Sequence, residues 1–415
     1  MSKTRQRVTF LMFAVAVGLM SGIASEAAAK PLKVFILAGQ SNMQGHAHVR
    51  TFDTMDLDPK TAPILKEMRN ADGTPRVCEK VWISSIGSAD EEQIGKLTIG
   101  FGAKERGPKI GPEFTFGIYM QKLLDEPILI IKTAWGGKSL NTDFRPPGAG
   151  PYEFNEQQLE AFRKQGKDLV RMKAEKVKAT GESYRLMIAH VKKVLADIKR
   201  VYPDYDPQQG YELAGFVWLQ GWNDMVDQSA YPNRDKPGGY DQYSTVLAHF
   251  IRDVRKDLSA PKLPFVIGVM GVGGPVEKYP PDQQRYKSIH QNFRLAMAAP
   301  ADLPEFKGNV ANVLTEQYWD MEVVELRARE KTIKPKVDEI NNQVKAGTLT
   351  REAGKAEVDS LYTETFTPRD LRILRESTSN FDFHYMGSAR IMAQIGKGFA
   401  EAMANFQKPP RQEKP

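Results

Sequence analysis

Apolar residues along this chain gather in short runs separated by longer amphipathic stretches. The runs are Lys33–Gly39, the short Val81–Ile83, Pro127–Ala134, Ala214–Leu219 and Pro264–Met270, and Asn309–Thr315 adds a sixth candidate. Such uniformly apolar runs read as strands buried on both faces. Between them Glu113–Leu124, Tyr184–Val201, Tyr240–Leu258 and Tyr286–Met297 carry the one-sided apolar pattern of helices. Strands alternating with helices predict a parallel, doubly wound α/β sheet.

Two stretches exceed what that sheet needs. Residues 152–182 are polar and charged with helical composition, and 321–372 alternate charges with few aromatics. The second is expected to form a helical hairpin, with a helix start near Thr350, inserted into one domain spanning 30–406. It is either a solvated decoration or a lid over the site. The tail 407–415 is rich in Pro and Lys and is expected to fray.

Composition changes the picture at the N-terminus. Lys3, Arg5 and Arg7 precede an apolar stretch from Val8 to Ile23, and Ala27-Ala28-Ala29 follows. This is the pattern of a secretory signal peptide over 1–29, which implies a secreted or periplasmic protein with no stable membrane insertion after cleavage. Cleavage removes three bases and one acid from a formal net charge of +7. The remaining bases are interspersed with acids, not grouped with aromatics, so nucleic acid is not an expected partner. A single cysteine, Cys78, rules out an internal disulfide and reads as a buried, inert thiol. The sequence is silent on oligomeric state.

Chemistry collects where the apolar runs end, as it must in an open α/β sheet. Ser41 follows the first run in Gly39-Gln40-Ser41-Asn42-Met43 and is a candidate nucleophile, or simply a helix cap. Gly136-Gly137 follow the third run and offer backbone N–H groups to an oxyanion, or form a tight turn. Asn223-Asp224 follow the fourth, with an amide donor suited to an oxyanion hole and a carboxylate that orients a loop or binds substrate. Asp382 and His384, two apart in a late segment, could be an acid fixing the tautomer of a general base. Glu113 reads as a structural hydrogen-bonding group. His46 and His48 lack further partners at metal spacing and read as a loop near the site, so no metal and no cofactor are expected.

Together these blocks resemble those of the SGNH hydrolases, and more closely the sialate O-acetylesterase-like and acetylxylan esterase branch of carbohydrate esterases. The resemblance rests on Gly-Gln-Ser-Asn-Met at 39–43, KTAWGGKSL at 132–140 and FVWLQGWNDM at 216–225. It implies a flavodoxin-like three-layer α/β/α sandwich and a carbohydrate ester as substrate. It makes Ser41 the nucleophile and His384 the base, with an oxyanion hole of Ser41, Gly137 and Asn223. Gln40, Gln220 and Asp224 become expected substrate contacts, and Arg145, which follows the glycine block in Phe144-Arg145-Pro146-Pro147, either clamps a substrate carboxylate or belongs to a rigid, proline-fixed loop. Esterases of this branch often carry Glu where this chain has Trp222, and some use it as the triad acid. The acid must then come from elsewhere, with Asp382 the first choice and Asp224 the second. The function expected is an exported serine esterase removing O-acetyl groups from carbohydrate. The alternatives are a catalytically weakened carbohydrate-binding relative, favoured by Trp222, and an SGNH hydrolase of other esters.

Overall fold

Val34, Phe35, Ile36, Leu37 and Ala38 have no exposed surface, because their strand lies in the middle of a sheet covered on both faces. The structure, a computed structural model, describes residues 30–89 and 91–407. The expected signal peptide and the tail beyond Gln407 lie outside those residues. The described strands are β1 (Leu32–Gly39), β2 (Ala47–His48), β3 (Val81–Gly87), β4 (Gln93–Lys96), β5 (Lys109–Ile110), β6 (Ile128–Ala134), β7 (Tyr211–Leu219), β8 (Phe265–Val269) and β9 (Val310–Leu314). Seven of them form one sheet in the order β4-β3-β6-β1-β7-β8-β9, while β2 pairs with β5. The sheet is parallel except for β4, which runs antiparallel to β3. All six apolar runs are strands. Edge strand β4, Gln-Ile-Gly-Lys, has no fully buried residue and so gave no apolar signal.

The described α-helices are α1 (Ser41–Gln44), α2 (Ala62–Met68), α3 (Glu113–Leu124), α4 (Glu156–Lys164), α5 (Leu169–Ala179), α6 (Glu182–Ala196), α7 (Trp222–Val226), α8 (Asp241–Asp257), α9 (Lys287–Ala298), α10 (Met321–Ala346), α11 (Arg351–Thr365), α12 (Pro368–Glu376) and α13 (Ala389–Gln407). Strand β7 shows how two layers arise from one alternation. A Cβ on Gly215 would press on Met403 of α13, whereas the next residue, Phe216, meets Phe250 of α8 edge-on. Helix α3 lies on the α13 side, where Phe116 meets Phe35 and the two helices pack together. Helix α6 lies on the α8 side, where Tyr184 meets Phe250. The result is a three-layer α/β/α sandwich.

The charged segment forms α10, α11 and α12. Asp320 caps α10 through Val323 N, and Thr350 caps α11 through Ala353 N. Buried Gly354 lets α11 close on α10, because a Cβ there would lie 2.4 Å from Val344. Only a thin stripe of this segment is buried: Val323, Leu326 and Ile340 in α10, Gly354 in α11, Phe366 just after it and Ile373 in α12. Much of its attachment is ionic. Arg390 of α13 reaches Asp320 and Glu322 at 2.9 Å each. Cys78 is buried, and burial pushes its thiol up to about 12, as expected of an inert group.

Candidate active site

The ends of three neighbouring strands are level. Gly39 pairs with Ala134 of β6 and with Leu219 of β7. Ser41, Gly136-Gly137 and Asn223 each follow within a few residues, so strand register alone brings these blocks to one edge of the sheet. Gly39 must be glycine for this, since a Cβ would sit 2.1 Å from Leu219 O. Gly137 has φ +73°, which an L side chain would strain. Ser41 opens α1, and its side chain is nearly enclosed.

Three donors there are unspent. Among the described residues, Ser41 N–H, Gly137 N–H and the Asn223 side-chain amide donate to no protein group. Gly136 N–H, by contrast, donates to Ser88 Oγ at 2.8 Å. Idle backbone donors beside a hydroxyl are what a developing oxyanion requires.

Asp224 supports this arrangement from beneath. It accepts from Leu140 N at 2.7 Å, Asn141 N at 2.9 Å, Gln220 Nε2 at 2.6 Å and Tyr231 OH at 3.2 Å. Burial pushes its pKa up to about 6, against the pull of those four donors. Both oxygens are occupied by internal donors, two of them in the loop that follows Gly137, which is the loop-orienting role open to it from the sequence. Two further expected substrate contacts are likewise internal. Gln220 also donates to Lys138 O and accepts from Tyr243 OH. Buried Arg145 braces its own loop through Gly150 O, Ala149 O and Asn141 Oδ1. Gln40 is 1% exposed, and neither atom of its amide has a protein partner.

His384 lies in a tight loop, Asp382–Gly387, that packs against α1. Tyr385 and Met386 have φ 52° and 59°, a costly left-handed pair for residues with side chains. The buried Tyr385 hydroxyl meets Thr315 Oγ1 at 2.6 Å and accepts from Gly271 N at 3.0 Å, which pins that turn. Ser379 ties the loop to the nucleophile block, donating to Gly387 O and His46 O and accepting from His48 N. His384 Nδ1 meets Asn380 Oδ1 at 2.9 Å, and Nε2 has no protein partner among the described residues. Ser41 Oγ makes no hydrogen bond to a described residue.

Asp382, the first choice for the acid, is turned away from His384. Its carboxylate is held at 2.8 Å by Arg327 of α10, and the side chain is 58% exposed. In an extended segment positions 382 and 384 would share a face, but this segment is a 3-10 turn and separates them. His46, expected in a loop near the site, makes a contact with His384 that the sequence does not announce. Its ring stacks on His384 with centroids 3.8 Å apart and planes 2° from parallel. Burial holds His384 down at about 4. Burial and the neighbouring His384, Lys109 and Lys132 hold His46 at about 3. Glu113 has the internal role expected of it: it accepts from buried Lys132 at 2.6 Å and from Gly111 N at 2.9 Å. Lys132 also donates to Gln44 O at the end of α1.

A cleft of about 830 Å³ is lined by sequence neighbours of these groups, though not by Ser41, Gly137, Asn223 or His384 themselves. Trp222, next to Asn223, and Asp382 and Met386, either side of His384, form part of its wall, with α10 opposite. Trp222 stacks on Phe383, and Phe383 on the exposed Phe381, so aromatic rings lead from His384 to the surface.

A family model described as "SASA: Carbohydrate esterase, sialic acid-specific acetylesterase" matches residues 31–305. That span holds Ser41, Gly137 and Asn223 and ends before Asn380 and His384. No curated protein matches the chain. Among solved structures, a protein from Arabidopsis thaliana is 16% identical, with coverage of 69% of this chain and 86% of its own and a TM-score of 0.35. A carbohydrate acetylesterase from Xanthomonas citri is 14% identical across 68% of this chain, with a TM-score of 0.36. This chain spans about half of that protein's length, 49%.

Proposed function

The chain belongs to the carbohydrate esterase family of sialic acid-specific acetylesterases, which makes it a carboxylic ester hydrolase of acetylated carbohydrate. From that premise we propose that it is an exported serine esterase, with Ser41 as nucleophile and His384 as base. The observation that carries the proposal is the trio of donors without a protein acceptor among the described residues, Ser41 N–H, Gly137 N–H and the Asn223 amide, each following closely on one of three level strand ends.

Ser41 Oγ attacks the acetyl carbonyl carbon while His384 Nε2 takes its proton. The carbonyl oxygen becomes an oxyanion held by the three donors. Collapse expels the sugar hydroxyl, which recovers the proton from His384. Water, deprotonated by the same nitrogen, then attacks the acetyl-serine and releases acetate. Neutral His384 is the form this cycle needs, and its low pKa supplies that form at ordinary pH. The sugar portion of the substrate occupies the aromatic-walled cleft, whose size lies in the range of about 300–1,000 Å³ typical of small-molecule sites. Export is supported by the N-terminal sequence pattern, and no described helix is long and apolar enough to cross a membrane.

The test is hydrolysis of an aryl acetate and release of acetate from acetylated oligosaccharides by the protein and by Ser41→Ala. Turnover should fall by several orders of magnitude in the variant. A folded Ser41→Ala protein that keeps most of its activity would overturn the assignment. A second reading, a weakened relative that binds carbohydrate, is favoured by one observation: His384 faces no carboxylate. Carbohydrate binding without any turnover by the parent protein would establish that reading instead.

A further inference from the structure

We propose that Asn380 is the positioning residue of the catalytic relay, so that a neutral amide does the work usually given to a carboxylate. The inference rests on the Ser41/His384 reading and deepens it.

The geometry leaves little freedom. Asn380 Oδ1 accepts from Phe381 N at 2.8 Å as well as meeting His384 Nδ1 at 2.9 Å. The backbone N–H can only donate, so the atom it meets must be the amide oxygen and the amide cannot be flipped. The oxygen then requires a donor at Nδ1. His384 is thereby fixed as the Nδ1–H tautomer, with the lone pair on Nε2, which is the atom that must take the Ser41 proton. The loop itself sets residues 380 and 384 face to face. Ser379 N and Asn380 N both donate to Met386 O, and His384 N and Met386 N both donate to Phe381 O. That closed loop is what the left-handed Tyr385 and Met386 make room for.

The surroundings of His384 are otherwise without a counter-ion. Its ring face is covered by neutral His46, with Phe383 edge-on at 4.4 Å. Lys109 and Lys132 lie beyond His46, and the nearest acid in sequence, Asp382, is bound to Arg327. A carboxylate at position 380 would stabilise the imidazolium; an amide fixes the tautomer without doing so. The consequence is a base that stays unprotonated well into the acid range, at the expense of a less stabilised imidazolium during proton transfer.

The experiment compares Asn380→Asp and Asn380→Ala with the parent on an aryl acetate, following kcat and KM separately and kcat/KM from pH 3.5 to 8. Asn380→Asp is isosteric and preserves the bond to Phe381 N. Its acid limb should move up by about 1–3 pH units, the usual effect of an opposite charge at this distance. Asn380→Ala should lower kcat by roughly tenfold, the worth of one hydrogen bond at the upper end, with little change in KM. An acid limb that stays in place in Asn380→Asp would overturn the proposal even if the alanine variant failed to fold. So would a folded Asn380→Ala protein with parental kcat. Ser41→Ala and His384→Ala run alongside: if they too retain activity the catalytic reading itself is wrong, and if they are inactive the failure belongs to Asn380 alone.

Discussion

Asp224→Asn is the substitution whose outcome the structure specifies most closely. The carboxylate has no exposed surface of consequence and takes four donors, two on each oxygen. In the variant one oxygen becomes an NH2 group. Tyr231 can turn its hydroxyl to accept, so the favourable orientation places the new nitrogen on the Tyr231 and Asn141 side. Asn141 N–H then faces another donor and is left unpaired in the interior, at a cost of about 1–3 kcal/mol. The pH dependence has a definite sign. A folded pKa of about 6, raised above the ordinary 3.8, makes the acid's contribution to stability greatest below 3.8 and progressively lost as pH rises through 6. An amide does not titrate. The deficit of the variant should therefore be larger at pH 4.5 than at pH 7.5. Because Leu140 and Asn141 end the loop that begins at Gly137, misplacing them should lower kcat more than it raises KM. Urea unfolding at the two pH values, with aryl acetate kinetics at the higher, measures all three effects. A variant as stable and as active as the parent, or a deficit that grows above pH 6, would refute the role given to this carboxylate.

Asn223→Ala should reduce kcat by about 10²–10³ with a smaller effect on KM, the usual cost of one oxyanion donor; steady-state kinetics in which KM alone rises would make Asn223 a substrate contact. Asp382→Asn breaks a half-exposed ion pair with Arg327, worth at most about 1 kcal/mol. Its turnover should stay within tenfold of the parent's, and a loss as deep as that of Ser41→Ala would return Asp382 to the relay. Burial lowers the pKa of His46 to about 3 and of His190, His290 and His384 to about 4 each. As pH falls below 6.5 the unfolded chain takes up these protons first, so stability should decline between about pH 6.5 and 4, with Asp224 opposing the trend. Urea midpoints that rise over that interval would contradict the burial of these rings.

The middle of the sheet was legible because its strands are buried on both faces and so leave unbroken apolar runs, as in Val34–Ala38 and Ile128–Ala134. Edge strand β4 was not, because half-exposed residues carry no such signature. The place of the Ser41, Gly137 and Asn223 blocks at the strand ends was legible for the same reason: they begin where a run stops. The relay was harder. The expected Asp382–His384 pairing assumed an extended segment, and a 3-10 turn with two left-handed residues lies there instead. Asn380 is one of many polar loop residues and acquires meaning only from the closed loop around it. His46 was visible as a histidine near the site, but stacking on a residue at the far end of the chain has no local signal. Arg145 and Asp224 flank the glycine and Asn-Asp blocks, a position that serves a substrate contact or a loop brace equally, and their hydrogen bonds are those of the brace.

The proposed nucleophile stands near one end of the chain and the proposed base near the other. Ser41 follows the first strand, whereas the loop of His384 is set by Tyr385 against Gly271 and Thr315 and continues directly into α13, which lies across α3 and the sheet. A chain emerging from synthesis, or threaded unfolded through a membrane, therefore carries its hydroxyl long before anything can deprotonate it. On the proposed roles, catalytic competence arrives with the docking of the last helix. Recovery of esterase activity on refolding would accordingly time the closure of the C-terminal layer, not the formation of the sheet.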